Sequence, residues 1–454
     1  MIQLLFDIYI IVVCIIIFRN IRVGFLLTLV SKIVIPSVVR FSLGSISIAI
    51  NDVFTLVLLT SFILHRKELK AKVPSRINKY FYIYVTVTFI LIFLSSAYVP
   101  YSYQLFSFFK GFLFQTILYI WIGYKVLQNI NVSKYFNVIC IASLLAGLYG
   151  ICSYAISSNP YVSAMNLLYG GESDFSYFME EIRGGLQGRT YGTMVHPLAW
   201  GQFWNILMCL VWIFKYMLRK YIFISLIVVG CVNIVLCGSR AALVALLIFF
   251  IFVLLSYGVK KLLLVIPLAY ISVSALLMVI PQEMKNSGLV SYIESGVFFW
   301  DSSYSEKAGI VGSDRTMRIV QLQKSIDIMS RNPIGGVGYD YQYYVLKTDH
   351  AIDSELYGLE SIVFKLLVEQ GLTGLIVFFY TFNMLRTFSI KEKDTKTRTL
   401  VNGYFLSFLS SILITGLQGG SYTFFMLFLA LLLNKTDYDS ENHSLLLVKQ
   451  RSYS

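Results

Sequence analysis

YIFISLIVVGCVNIVLCGSRAALVALLIFFIFVLLSY, residues 221–257, holds two apolar runs joined by Gly238-Ser239-Arg240, and Arg240 is its only charge. Each run, 221–237 and 241–257, is close to the roughly 20 residues that cross a bilayer as a helix. Neither alternates apolar and polar residues at every second position, which a membrane strand requires. Only helices and closed barrels satisfy their backbone in lipid, so the stretch reads as a helical hairpin. Working outward, apolar runs recur at 1–18, 21–39, 43–64, 80–98, 104–124, 136–156, 196–214, 262–281, 361–385, 400–415 and 419–434. The predicted fold class is all-α: a polytopic transmembrane helical bundle of about 12–13 spans, with a large external loop containing short helices. The lower number applies if residues 1–39 form one interfacial helix and one span. No polar leader or small-residue cleavage site marks Met1–Phe18 as a removable signal, so it is read as a span.

Composition agrees. The 454 residues are 57% hydrophobic and 13% charged, with a mean hydropathy of +0.72. Soluble chains carry about 25% charged residues; a soluble enzyme, a disordered chain and a nucleic-acid-binding module are therefore excluded. The net charge of +13 matters through its placement. Arg19 and Arg22, the run from Arg66 to Lys79, Lys125 and Lys134, Lys215 to Lys220, Lys260 and Lys261, Arg386 to Arg398 and the tail hold 23 of the 37 basic residues. Short loops rich in Lys and Arg face the cytoplasm, which places the N-terminus outside. The chain then divides into N-terminal spans (1–156), an external loop (157–195), central spans (196–281), a large external loop (282–360), C-terminal spans (361–434) and a cytoplasmic tail (435–454). All six cysteines lie in predicted spans without metal-ligand spacing and read as packing residues. No disulfide, metal or cofactor is expected.

The two external segments break the hydrophobic rhythm. The first is acidic at Glu172, Asp174, Glu180 and Glu181, then glycine-rich from Arg183 to Arg189. The second contains an amphipathic helix at about 314–331, with Ile319, Leu322, Ile326 and Met329 at 3–4 spacing. Ser313 or Asp314 can cap it, and Asn332-Pro333 with Gly335-Gly336 stop it. Its apolar stripe is expected to face lipid or the neighbouring spans.

Six arginines fall outside or at the outer surface: Arg183, Arg189, Arg240, Arg315, Arg318 and Arg331. A guanidinium is always charged and offers a planar fork of donors suited to phosphate oxygens. Arg315 and Arg318 lie on neighbouring faces of one helical turn. Arginines at a membrane surface also snorkel or pair locally, and that ordinary reading is preferred for Arg183 and Arg331. His196 reads as a helix-start residue, with Pro197 in the first turn.

Gly188-Arg-Thr-Tyr-Gly-Thr-Met-Val-His-Pro-Leu-Ala-Trp-Gly201 resembles the arginine-containing opening of a span in the O-antigen ligase and polymerase superfamily. Cys237-Gly-Ser-Arg-Ala-Ala-Leu243 resembles its second signature. Asp314-Arg-Thr-Met-Arg318 with Asn332-Pro-Ile-Gly-Gly-Val-Gly338 is similar to its large external loop. His350, then Glu360 to Leu375, resembles that loop's return to the membrane. The pieces cover about residues 188–375 in the family's order. Many members have His-Asn where this chain has His350-Ala-Ile-Asp353-Ser-Glu355.

The resemblance implies glycosyl transfer from an undecaprenyl-diphosphate-linked oligosaccharide donor to a glycan acceptor. The site would lie on the periplasmic side of a bacterial cytoplasmic membrane, with a flippase and a chain-length regulator as companions. Such a site must neutralise a diphosphate leaving group with preplaced donors. It must also take a proton from the attacking hydroxyl. Arg189, Arg240, Arg315 and Arg318 are the candidates for diphosphate binding. His350 is the candidate base, with Asp353 or Glu355 orienting it or replacing it. A polymerase of repeat units is preferred, because the His-Asn element is altered. A ligase that moves glycan onto a lipid core is the alternative. The charges within spans, Asp52, Lys110, Lys365 and Glu369, would instead line a path in a lipid-linked-sugar flippase or exporter. Lys365 and Glu369 form an i,i+4 pair. The Gly371-Leu-Thr-Gly374 break after them predicts a short dipping helix before the true span.

Overall fold

The computed structural model describes residues 2–43, 46–69, 73–128, 130–169, 177–180, 182–183, 186–259, 315–348, 350, 352–356, 358–391, 393–417 and 420–433. Its longer helices are α1 (Ile2–Arg19), α2 (Ile21–Val34), α3 (Ile50–Leu64), α4 (Ser75–Leu94), α5 (Tyr101–Leu127), α6 (Val132–Ala155), α7 (Pro160–Leu168) and α8 (Pro197–Ile213). They continue with α9 (Lys220–Leu236), α10 (Arg240–Ser256), α11 (Arg315–Arg331), α12 (Tyr341–Thr348), α13 (Ile362–Ile390), α14 (Thr395–Thr415) and α15 (Ser421–Leu433). Four of them, α4, α5, α6 and α13, are long and apolar enough to cross a membrane. With the shorter apolar helices around them they make a polytopic helical bundle. The expected span at 262–281 lies outside the described residues.

Two helices are shorter than expected. The run 21–39 is helical only to Val34, because Pro36 disfavours helical geometry in the residue before it. The chain then forms an antiparallel hairpin, Arg40–Leu43 with Ile46–Ala49, before α3 begins at Ile50. The bundle is thus not purely helical: a second small hairpin pairs Ile182–Arg183 with Leu186–Gln187.

Burial separates lipid-facing from central helices. Among the described side chains of α1, Ile10, Val13 and Ile17 are buried, while Leu4, Leu5, Ile8, Ile11 and Ile15 are exposed. An apolar outer face belongs in hydrocarbon. In α8 nearly every residue is buried, as is α15 from Phe424 to Leu433; a helix apolar on all sides is central. Helix α10 runs antiparallel along α14, where Gly403 admits Phe252: a Cβ at 403 would lie 2.6 Å from its side chain. Small residues of this kind let membrane helices approach. Polar groups also link the helices: Ser407 donates to the Ala245 carbonyl at 2.7 Å, and Asn205 to Ser407 at 2.9 Å. Trp200 donates to Asn233 at 2.9 Å, and Asn233 donates to the Gly147 and Val229 carbonyls at 3.0 and 2.8 Å. Asp52 and Lys110, both inside predicted spans, form a 2.9 Å ion pair.

Helix ends converge at one end of the bundle. Thr193 donates to the Ile33 carbonyl at the close of α2 (2.6 Å), and Thr190 to Gly150 near the close of α6 (2.8 Å). Gln202 in α8 donates to Gly416, just past α14, at 2.8 Å. A Cβ on Gly416 would lie 3.4 Å from the Leu359 carbonyl, ahead of α13. The candidate residues sit on this end.

Candidate functional site

Arg189 is placed by a buried strand-like passage, not by a solvent loop. Its N–H donates to the Phe178 carbonyl at 2.7 Å, and the Thr190 N–H to Leu236 at 3.0 Å. Residues 188–194 are buried throughout, packed against neighbouring helix ends. The reason is hydrogen bonding, since Thr190, Gly192 and Thr193 pair with the ends of α2 and α6 and with Asn159 ahead of α7. The Arg189 side chain is 3% exposed, and its Nε donates to the Cys237 carbonyl at 2.9 Å. Gly238 makes room: its φ is +63°, and a Cβ there would lie 3.2 Å from that Nε. Two residues on, Arg240 opens α10, with Ser239 capping the Ala242 N–H at 3.3 Å. A cation at a helix N-terminus opposes the dipole, so helix stability does not explain Arg240. His196 caps α8 through its Nδ1, which accepts from the Leu198 N–H at 3.1 Å, with Pro197 following.

The glycine run after α11 is a wedge. Its Val337 N–H donates to the Val368 carbonyl at 2.8 Å, and the Gly336 carbonyl accepts from the Ser96 N–H at 2.9 Å. It thus lies between the end of α4 and a break in α13, where Gly371 has φ 64° and ψ −166°. The break falls in the Gly371-Leu-Thr-Gly374 stretch where one was expected. A Cβ at Gly335 would lie 2.2 Å from the Leu94 carbonyl, and at Gly336 2.5 Å from the Val368 carbonyl. Asn332 ties the wedge to Leu94 and Ser96 at 3.1 and 3.0 Å.

Helix α11 docks through its polar side. Arg318 pairs with Glu360 at 3.5 Å, Gln321 donates to the Gly358 carbonyl at 3.2 Å, and Lys324 pairs with Asp353 at 2.9 Å and Glu355 at 3.7 Å. Gln321 and Ser325 are buried, whereas Ile319, Leu322 and Ile326 are exposed. Of the two faces expected for the apolar stripe, it therefore does not turn to the spans. Arg315 begins the helix, and its side chain lies outside the described residues, as do Ser313 and Asp314.

His350 is exposed, and tyrosines hold its own backbone and that of Ile352. Its carbonyl accepts from the Tyr98 hydroxyl, and the Ile352 N–H donates to Tyr341 at 3.1 Å. Tyr98 and Tyr341 pack 5.7 Å apart in a small separate core with Val99, Ile328, Val345 and Leu359. Asp353 and Glu355 are engaged by Lys324; hydrogen bonding to that ammonium holds the Asp353 carboxyl below its ordinary range.

The Lys365–Glu369 pair named from the sequence gains a partner that sequence reasoning missed, beside the wedge. Asp340, at φ 63°, lies within hydrogen-bonding reach of Ser107 and faces Lys365. Burial pushes its carboxyl up, and Lys365 opposes this. Glu369 pairs with Lys365 at 3.7 Å and accepts from the Gln342 N–H at 3.3 Å. The Lys365 ammonium sits 5.1 Å from the Tyr343 ring centre. No periodic signal marks Asp340; Lys324 could have been found from the polar face it shares with Arg318, Gln321 and Ser325.

The structure therefore brings Arg189 against the Gly238-Ser239-Arg240 turn, and holds Arg318, Asp353 and Glu355 in a separate docking seam. Residues 224–379 match a family model described as O-antigen ligase. The match contains Arg240, α11, the glycine wedge, His350 and the Lys365–Glu369 pair, and begins after Arg189. No curated protein matches the chain.

Proposed function

Residues 224–379 belong to the O-antigen ligase family, the membrane ligases and polymerases of surface-polysaccharide assembly, and we propose that this chain is a polymerase of undecaprenyl-diphosphate-linked repeat units. The reaction joins an acceptor hydroxyl oxygen to the anomeric carbon of the donor glycan. The bond from that carbon to the diphosphate breaks, and the leaving group departs with the electron pair. Arg189 and Arg240 meet its developing charge, Arg315 at the start of α11 is the further candidate cation, and Arg318 is the weaker one because Glu360 engages it. The hydroxyl proton goes to His350. Asp353 and Glu355 are the weaker candidates, since Lys324 occupies both. The chemistry takes place at the outer face of the bacterial cytoplasmic membrane, after a flippase has delivered the donor and under a chain-length regulator.

One observation carries this reading. A nearly buried guanidinium, Arg189, is fixed on the Cys237 carbonyl next to a glycine and a second arginine at a helix start. Fixed donors of this kind, together with helix N-terminal amides, are what a diphosphate needs. The family description favours a second reading, a ligase moving finished glycan onto a lipid core. The surface glycan of a deletion strain separates them. Polymerase loss leaves single-repeat caps, ligase loss leaves free lipid-linked polymer, and loss of a flippase leaves repeat units that never reach the surface.

A further inference from the structure

We propose that Asp340, Lys365 and Tyr343 form the subsite that grips the hydroxyls of the acceptor saccharide, an assignment that rests on the glycosyl-transfer reading above. Glu369, with a side chain 1% exposed, is sealed by Lys365 and the Gln342 N–H and serves to hold the ammonium in place. Lys365 keeps 19% of its side chain exposed, and Asp340 is half-buried. These two put an acceptor and a donor side by side at the surface. A sugar hydroxyl both donates and accepts, so it matches that pair; a diphosphate would be repelled by the two carboxylates.

The aromatic surroundings fit the same ligand. Tyr343 is 51% exposed, with Lys365 over its ring. Tyr103 and Tyr344 meet edge to face 5.3 Å apart, and Tyr103 shares Ser107 with Asp340. Apolar rings beside charged hydrogen-bonding groups suit a pyranose, which has a C–H face and a rim of hydroxyls. Backbone conformation points the same way. Asp340 adopts a left-handed φ of 63°, where glycine is unstrained. Residues held in such geometry cluster at ligand clamps. The subsite adjoins the small core that also carries the His350 segment, so a bound acceptor would lie at the same end of the bundle as the candidate base.

The test uses full-length protein in lipid nanodiscs and the host's own repeat oligosaccharide, freed from its lipid diphosphate by mild acid. Asp340→Gly removes the carboxylate while relieving the backbone, so its thermal midpoint should not fall below that of the wild type. Equilibrium binding of the oligosaccharide should weaken about tenfold or more in Asp340→Gly and also weaken in Tyr343→Ala. Gly358→Ala, where a Cβ would meet nothing within 4 Å, should bind it as the wild type does. Unchanged affinity in both subsite variants, or a wild type that does not bind the oligosaccharide, overturns the assignment. Polymer formation from the intact lipid-linked unit is measured alongside. A wild type that binds but makes no polymer overturns only the transfer reading, because the binding comparison still decides the subsite.

Discussion

Arg189 shows why lysine cannot stand in for arginine here. Its Nε donates to the Cys237 carbonyl at 2.9 Å, and a guanidinium carries further donors at the end of its planar fork; lysine has a single nitrogen and cannot divide it between two tasks. Arg189→Lys should therefore lose nearly as much activity as Arg189→Ala. A charge-assisted contact is worth about 1.5–3 kcal/mol, or roughly tenfold to more than a hundredfold in turnover of the lipid-linked unit. Full turnover by both variants at normal expression would remove Arg189 from the site. The Lys324–Asp353 pair makes a pH prediction. Its hydrogen bond holds Asp353 below the ordinary 3.8, so the folded protein binds fewer protons there. That contribution is fully present above 3.8 and is lost as pH falls through the lowered value. Lys324 is held above the ordinary 10.5 by the same hydrogen bond, so its share is present below 10.5 and lost as pH rises through the raised value. Protease cleavage within α11 should stay flat between these limits and rise outside them; Lys324→Met should abolish the acid-side rise. That Arg240 follows a Gly238-Ser239 turn at the end of an apolar run was legible, because local chain geometry sets it. The capture of Asp353 by Lys324 was not, because it depends on how α11 docks.

The wedge between α4 and α13 works at the level of elements. Its glycines are required by proximity to backbone, which cannot move aside as a flexible side chain can. Gly336 combines φ +66° with a Cβ position 2.5 Å from the Val368 carbonyl. Gly336→Ala should cost at least the roughly 1–3 kcal/mol of left-handed strain, seen as a lower thermal midpoint in detergent. At Gly358 a Cβ would meet nothing within 4 Å, so Gly358→Ala should be close to neutral. Equal midpoints for the two would remove the wedge as a structural joint. The break at Gly371 was readable from Gly371-Leu-Thr-Gly374, since glycines in an apolar helix interrupt it. The period of the α11 stripe is legible in the sequence, but the direction it faces is not. Periodicity finds the two faces of a helix; which one docks depends on partners, here Glu360, Gly358 and Asp353.

Across the whole molecule, runs of apolar residues made the bundle legible, because lipid forces each crossing segment to be helical and greasy. The hairpins pairing Arg40–Leu43 with Ile46–Ala49 and Ile182–Arg183 with Leu186–Gln187 are not legible in the sequence, since short strands at helix ends carry no periodic signal. Orientation follows from the basic loops and has a direct test. In a background with the native cysteines replaced, Ser158→Cys and Ser330→Cys should react with an impermeant thiol reagent added outside the inner membrane. Lys67→Cys should react only after lysis. All three positions are exposed, so the reverse pattern would invert the molecule and move the candidate site to the cytoplasm.

The small core around Tyr341 also bears on how this protein can be handled. Ile328, Val345 and Leu356 are covered by Val99, which follows α4, and by Val368 in α13. A fragment cut from the chain at 315–360 would lack both and would present Ile319, Leu322 and Ile326 to water as well. It would aggregate or rearrange, and antibodies raised against it would recognise a shape that the intact protein never displays. Vaccine design, epitope mapping and inhibitor screening against this segment therefore need the whole polypeptide in a lipid environment.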